Sequence, residues 1–180
     1  MFYKLLKFWH LQDRKFKRPF AELRMLLTCQ FANKTPLHRA CAELLAILIH
    51  DTTTETCYLA SVCELGNSIR ATDLGLSIRV HGFDHKLLDL TSEILKVLFS
   101  FNSGDEFLPA GIIADRFYAC LDILRRKYNN EGMRASSLCS DIRLRCLRPT
   151  IWSANDKVGN VNDIMRLFSM RLNSPGNFTN

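Results

Sequence analysis

The sequence predicts an α+β domain: an antiparallel sheet covered on one side by helices. Three observations carry this expectation. In "LGLSIRVHG" (74–82), Leu74, Leu76, Ile78 and Val80 alternate with Gly75, Ser77, Arg79 and His81, the period of a strand with one buried face. The run "LHRACAELLAILIHD" (37–51) is almost continuously apolar, as a deeply buried helix would be. From Lys86 onward the helical period returns and is kept, with breaks, to the end of the chain.

Taken in order, "YKLLKFWHLQDRKF" (3–16) sets aromatic and aliphatic residues among positive charges and is expected to supply a strand or a strand entry. "FAELRMLLTC" (20–29) is apolar enough for a mostly buried strand, ended by the polar "QFANKT". Thr35 is then an N-cap and Pro36 takes the first helical position, where its missing N–H costs nothing. "TTTE" (52–55) reads as a capping box in which Thr52 accepts from backbone N–H groups and Glu55 reaches back. The helix that it opens, "ETCYLASVCEL", is expected to close on a left-handed Gly66.

"NSIRAT" (67–72) is the antiparallel partner of the alternating strand, with the turn near Thr72 and Asp73. In the next helix Leu87, Leu88, Thr91, Ile94, Leu95 and Leu98 share a face. After the "SGDEFLP" break (103–109) come a helix over about 110–129, ending at Asn129 and Asn130, and another in "SSLCSDIRLRCL" (136–147), stopped by Pro149. The last, over about 156–172, is capped by Ser153 or Asn155 and turns Val158, Val161, Ile164, Met165, Phe168 and Leu172 inward. "NSPGNFTN" (173–180) is expected to fray.

Composition narrows the function. With 180 residues, 47% apolar and 23% charged, the chain is that of one ordinary domain with a real core. No apolar run reaches the roughly 18 residues of a membrane span, and the first residues carry no secretory cleavage pattern. The seven cysteines are odd in number and form no C-x-x-C. Their placement in apolar helical stretches suggests small hydrophobes in a reducing, cytoplasmic compartment. The net charge of +6 suits either an anionic partner or one piece of a larger protein.

"RVHGFDHKLL" (79–88) contains His81, Asp84 and His85 as H-x-x-D-H, one methylene short of the inverted zinc-peptidase signature H-x-x-E-H. The genuine signature needs both imidazoles on one helix face, with the glutamate between them activating the bound water. Here His81 ends a strand on its solvent side, Gly82 follows, and Asp84 reads as the N-cap of the helix that His85 enters. A further ligand is also missing, since no glutamate follows Glu131. The segment therefore reads as a strand-to-helix turn. Cys139 and Cys146, seven apart on one helix, read as core contacts rather than metal ligands. The basic clusters "RRK" (125–127) and "RLRCLRP" (143–149) read as solvated helix faces, with Leu144 and Leu147 inward. They lack the stacking aromatics of a nucleic-acid surface. There is no G-x-S-x-G turn and no glycine-rich phosphate loop.

Longer segments resemble the insulysin, nardilysin and pitrilysin group of zinc metallopeptidases, specifically its middle or third domain. "FWHLQDRKFKRPFAELRMLLTCQFA" (8–32) is similar to that domain's opening, a Trp and a D-x-x-F-x-x-P stretch leading into an edge strand. "TPLHRACAELLAILIHDTTTETCYLASVCELGNSI" (35–69) resembles its helix pair, with "YLASVCELG" (58–66) at the place of the family's Y-x-A-x-x-A-G. "GLSIRVHGFDHKL" (75–87) resembles G-L-x-L-x-V-x-G-Y-x-D-K, and "RPTIWSANDKVGNVNDI" (148–164) a Trp followed by a helix.

The resemblance runs from about 8 to 172 and treats 1–180 as a single middle domain. It implies the fold of LuxS and the mitochondrial processing peptidase, ending here before the last strand that would complete the sheet. It implies a non-catalytic part in a chamber that encloses a peptide, with the remaining peptidase domains or a paired half as partners. Zinc belongs to the family's first domain, so no catalytic, cofactor-binding or metal-ligating residue carries over to this chain. The other expectation is a stand-alone inactive remnant that binds peptides or proteins through its sheet edge.

Overall fold

The structure, a computed structural model, describes residues 6–101, 114–131, 133–148 and 151–173. The break at 103–109, Pro149, the tail 174–180 and the side chains of Phe168 and Leu172 lie outside this description. The elements run β1 (Phe20–Thr28), α1 (Pro36–Thr52), α2 (Thr54–Val62), β2 (Gly66–Thr72), β3 (Gly75–Phe83), α3 (Asp84–Ser100), α4 (Ala114–Asn130), α5 (Ala135–Leu147) and α6 (Ala154–Asn173). This is the expected α+β order, minus one strand. Residues 6–19 lie along the surface without regular pairing, so the strand expected in 3–16 does not form among its described residues. The alternation of charge and apolar groups there meets no described strand to pair with.

The sheet is antiparallel, in the order β1-β3-β2. Its helix-covered face carries Leu76, Ile78 and Val80 from β3, with Leu23 and Met25 opposite them on β1 and Ile69 on β2. These pack on Ala46 and Ile49 of α1 and on Leu87, Leu90 and Ile94 of α3. A second core lies on the far side of α1. There Ala40, Leu44 and Leu48 meet Phe117, Cys120, Leu121 and Leu124 of α4 and Val161 and Ile164 of α6. Helix α1 is thus sandwiched between the sheet and the α4–α6 pair, which is why its sequence is apolar nearly all round.

Several local expectations are corrected. Strand β1 is an edge strand and mostly exposed, with only Leu23 and Met25 half-buried. Leu74 lies in the two-residue turn with Asp73 and is exposed, so the buried alternation starts at Leu76. On α3, Leu90 rather than the expected Leu88 is buried, because the row facing the sheet is Leu87, Leu90, Thr91 and Ile94, and Leu88 lies one position off it. Asp84 is its first residue, preceded by Phe83 at the cap, and makes no capping bond.

The capping box does not form either. Thr52, Thr53 and Thr54 instead donate their hydroxyls back to the carbonyls of Leu48, Ile49 and His50, at 2.8 Å each. The two helices abut so closely that the threonines finish α1 rather than start α2. By contrast, Thr35 caps α1 as expected: its Oγ1 accepts from His38 N at 3.2 Å, with Pro36 inside the first turn. Ser153 likewise accepts from Asp156 N at 3.1 Å before α6.

Helix α2 ends one turn earlier than Gly66. Glu64 is the left-handed residue, with φ 60. Glu64 N donates to Ser61 O and Leu65 N to Ala60 O, both at 3.0 Å, the paired bonds of a Schellman turn. A side chain in this conformation costs roughly 1 kcal/mol relative to glycine. Glu64→Gly is therefore expected to raise stability by about 1 kcal/mol, read as a higher urea midpoint at unchanged slope.

Candidate functional site

Two surfaces concentrate chemistry, and both come from strand alternation and helix period rather than from a motif. The first is the face of the sheet that no described helix covers. Because β1 and β3 pair Phe20 with Phe83, Glu22 with His81 and Arg24 with Arg79, these side chains stand together on that face. The Phe20 and Phe83 rings stack with centroids 4.5 Å apart. Glu22 accepts from Arg79 Nε at 2.6 Å and Nη2 at 3.2 Å, and also from Arg24. The Arg79 guanidinium first and then that of Arg24 hold the Glu22 carboxyl down to about 2. Ser77, Ser68 and Arg70 extend the same polar surface across to β2. The outer edge of β1 pairs with no other described strand.

The second surface is a cleft of about 490 Å³ between α1, α4 and the outer edge of β2. Glu43 sits at its floor, buried within the apolar run of α1. It accepts from Arg39 Nε at 2.9 Å, one turn earlier, and from Lys127 Nζ at 2.6 Å, across on α4. Arg39 also donates to Ala71 O at 3.2 Å and approaches Asp73 at 3.4 Å, so it covers part of the free edge of β2. Burial alone would raise the Glu43 pKa. The hydrogen bonds and charge of Lys127, then of Arg39, outweigh it and leave the pKa below its ordinary value. Tyr128 lies beside Glu43, and its buried Oη faces that carboxylate without reaching full hydrogen-bond geometry with any described residue. Its pKa is pushed well up, by burial and then by the Glu43 charge. At the other end of the cleft Asp51 accepts from Arg116 Nε at 3.0 Å. The Arg39–Glu43 spacing of four was legible in the sequence as a helix pair; the arrival of Lys127 from α4 was not.

The H-x-x-D-H residues are dispersed. His81 stands on the open face of β3, with its ring lying over Gly66 on the paired strand. Gly82 follows with φ 140, and His85 is already in the first turn of α3. Two imidazoles held on different elements do not fit the inverted zinc signature, which needs one continuous helix. Among the described residues no group of three His, Cys, Asp or Glu could hold a metal ion. Cys139 and Cys146 are exposed on α5 rather than packed in a core, and Cys29, Cys41 and Cys63 are exposed as well. Of the seven free thiols only Cys120 is buried and Cys57 is half-buried; the other five sit at outward-facing positions even where the surrounding stretch is apolar. Leu144 and Leu147 also face outward. In the basic clusters, Arg126, Lys127, Arg145 and Arg148 pair with Asp122, Glu43, Asp141 and Asp73. No described helix is long and apolar enough to cross a membrane.

The architecture defines a class: an α+β domain whose sheet, among the described residues, is covered by helices on one face. Comparison with known proteins then gives the family. Residues 3–160 match the family pattern described as the middle or third domain of peptidase M16. The chain is 31% identical over 162 residues to nardilysin of Homo sapiens, which is 90% of this chain and 13% of that protein. It is 27% identical over 159 residues to a nardilysin-like protein of Arabidopsis thaliana, 88% of this chain and 15% of that one. Against insulin-degrading enzyme of Drosophila melanogaster the identity is 28% over 102 residues, 57% of this chain and 10% of that enzyme. The chain belongs to the M16 family of zinc metallopeptidases, in the region of its middle domain. It spans about an eighth of the length of the nardilysins that it matches.

Proposed function

We propose that this chain serves as a non-catalytic middle domain of an insulysin-like zinc metalloendopeptidase, working in the cytoplasm. The open face of its sheet is a piece of the wall around the enclosed peptide. The observation that carries this reading is the division of the sheet, with one face buried under α1 and α3 and the other a polar surface of Glu22, Arg24, Arg79, Arg70 and His81. A surface of fixed, mutually paired charges can hold an extended peptide without reacting with it. The domain takes its zinc chemistry from elsewhere in the protein and contributes no ligand and no catalytic group.

Two measurements test this. The purified chain is expected to retain no stoichiometric zinc after dialysis and to cleave no peptide; one equivalent of zinc, removed by chelator together with peptidase activity, refutes the reading. In a full-length enzyme carrying this domain, Arg79→Glu is expected to shift KM between acidic and basic peptides several-fold, with kcat nearly constant. Equal KM changes for both peptide classes count against the wall.

A second reading is a peptide- or protein-interaction module that acts through β1. It is favoured by the outer edge of β1, which has no described partner strand, whereas that of β2 is partly covered by Arg39. Capture of the remaining peptidase domains supports the first reading, and capture of unrelated extended peptides the second. A chain that binds neither removes both.

A further inference from the structure

Helix α5 leans on α4 and α6 through one narrow side, where Asp141 and Arg145 are half-buried, and leaves the rest of its surface exposed. None of its residues is buried, and no other described element brings its backbone against it. A helix of 13 residues is marginal in water unless a face of it is covered. Along one side, Ala135, Leu138, Cys139 and Ile142 line a shallow apolar hollow of about 370 Å³, rimmed by Arg143. Leu138 is 42% exposed and Ile142 48%. Cys146 continues the stripe one turn further on.

The charges around the stripe decide what can cover it. Arg143 at its rim and Arg134 at the start of the helix have no ion-pair partner among the described residues. Asp141, the helix's one carboxylate, is already taken by Arg145 at 2.7 Å. A second copy of α5 laid on the first would bring unpaired arginines together, which disfavours self-pairing. We infer that the α5 stripe is a docking site for an acid-flanked amphipathic helix supplied by polypeptide other than this chain. Such a helix sets its apolar row into the hollow and its carboxylates against Arg134 and Arg143. This site is separate from the open sheet face and stands whether or not that face lines a chamber.

The test uses the whole chain and two synthetic helical peptides with the same leucine row, one flanked by glutamates and the other by lysines. The glutamate peptide is expected to bind at least about tenfold more tightly by fluorescence anisotropy. It should slow maleimide labelling of Cys139 and Cys146 and leave that of Cys63, on the distant end of α2, unchanged. Arg143→Glu is expected to erase the preference between the peptides. Ile142→Asp is expected to abolish binding with a little-altered thermal midpoint, since Ile142 is half exposed and lines only the hollow. Equal affinity for both peptides, no binding of either, or equal protection of Cys63 overturns the inference. So does a concentration-dependent dimer in sedimentation that shields Cys139 without peptide, because it makes a second copy the occupant.

Discussion

Gly75→Ala is expected to destabilise the domain by roughly 3 kcal/mol or more, the largest effect of any single methyl group in the sheet. Gly75 opens β3 with φ 145, a conformation that side chains rarely adopt. A Cβ there would sit 2.0 Å from Leu27 O near the end of β1 and 3.1 Å from Cys29 N just beyond it, both backbone atoms. Relief would require β1 to move away from β3, breaking the pairing that positions Glu22 against Arg79. Gly82→Ala is expected to follow closely. Its φ is 140, and its Cβ would meet Glu64 O at 2.7 Å and Leu65 Cδ2 at 2.8 Å.

Two other glycines supply the controls. At Gly66 the added methyl meets the His81 ring, the nearest atom 2.4 Å away, and the ring can swing out over the open face. The cost should stay below about 1 kcal/mol. At Gly159, inside α6, nothing lies within 4 Å, so alanine should stabilise by about 0.5–1 kcal/mol through helix propensity. Urea midpoints of the four variants should therefore fall in the order Gly159→Ala, Gly66→Ala, Gly82→Ala, Gly75→Ala. A Gly75→Ala midpoint equal to that of Gly66→Ala would disprove the close approach of β1.

The second large effect centres on Glu43. Glu43→Ala is expected to cost about 2–3 kcal/mol at neutral pH, combining a lost buried side chain with the loss of two charge-assisted bonds. The figure stays moderate because the partners have alternatives. Lys127 is 57% exposed and can turn to water, while Arg39 keeps Ala71 O and Asp73. The pH dependence has a definite sign. The folded pKa of Glu43 lies below its ordinary value of 4.5. Its contribution is therefore complete above about pH 4.5 and is lost as the pH falls through the folded value. Glu43→Gln should flatten that part of the acid limb. An acid limb unchanged by Glu43→Gln would show that the carboxylate is not held as described.

Tyr128 acts at the other end of the pH scale. Its folded pKa is raised above the ordinary 10.0 by burial and by Glu43. Stability is therefore complete below about pH 10 and declines above it, as the unfolded chain gains a phenolate that the folded one disfavours. Tyr128→Phe should remove that decline, at a cost of less than about 1 kcal/mol at neutral pH, because the Oη reaches full hydrogen-bond geometry with no described residue. Glu43 and Tyr128 are adjacent, so the double variant should depart from additivity.

How much of this was legible in the sequence depended on how far each signal reaches along the chain. The cap at Thr35 and Pro36, the β2–β3 hairpin and the buried row Leu76, Ile78 and Val80 were readable because each is written in residues a few positions apart. The kinship with M16 middle domains was readable for a different reason: it is spread over many such short signals in a fixed order. The candidate site was only half visible. Arg39 and Glu43 share one helix face, but Lys127 and Tyr128 reach them through the packing of α4 on α1, which no local spacing encodes.

The amino-acid sequence by itself determined the α+β class, the order of elements from β1 to α6, and the separation of His81 from His85 by a strand-to-helix turn. Those outcomes rest on backbone preferences and on period-two against period-3.6 alternation, which operate within a few residues. Only the tertiary structure decided that β1 is an edge, that α5 keeps its leucines and thiols outward, and that Glu64 rather than Gly66 closes α2. An apolar residue is equally apolar at the centre of a sheet, on its edge or on an outer helix. What buries it is a neighbour far away in the chain, and that neighbour is a matter of three-dimensional packing.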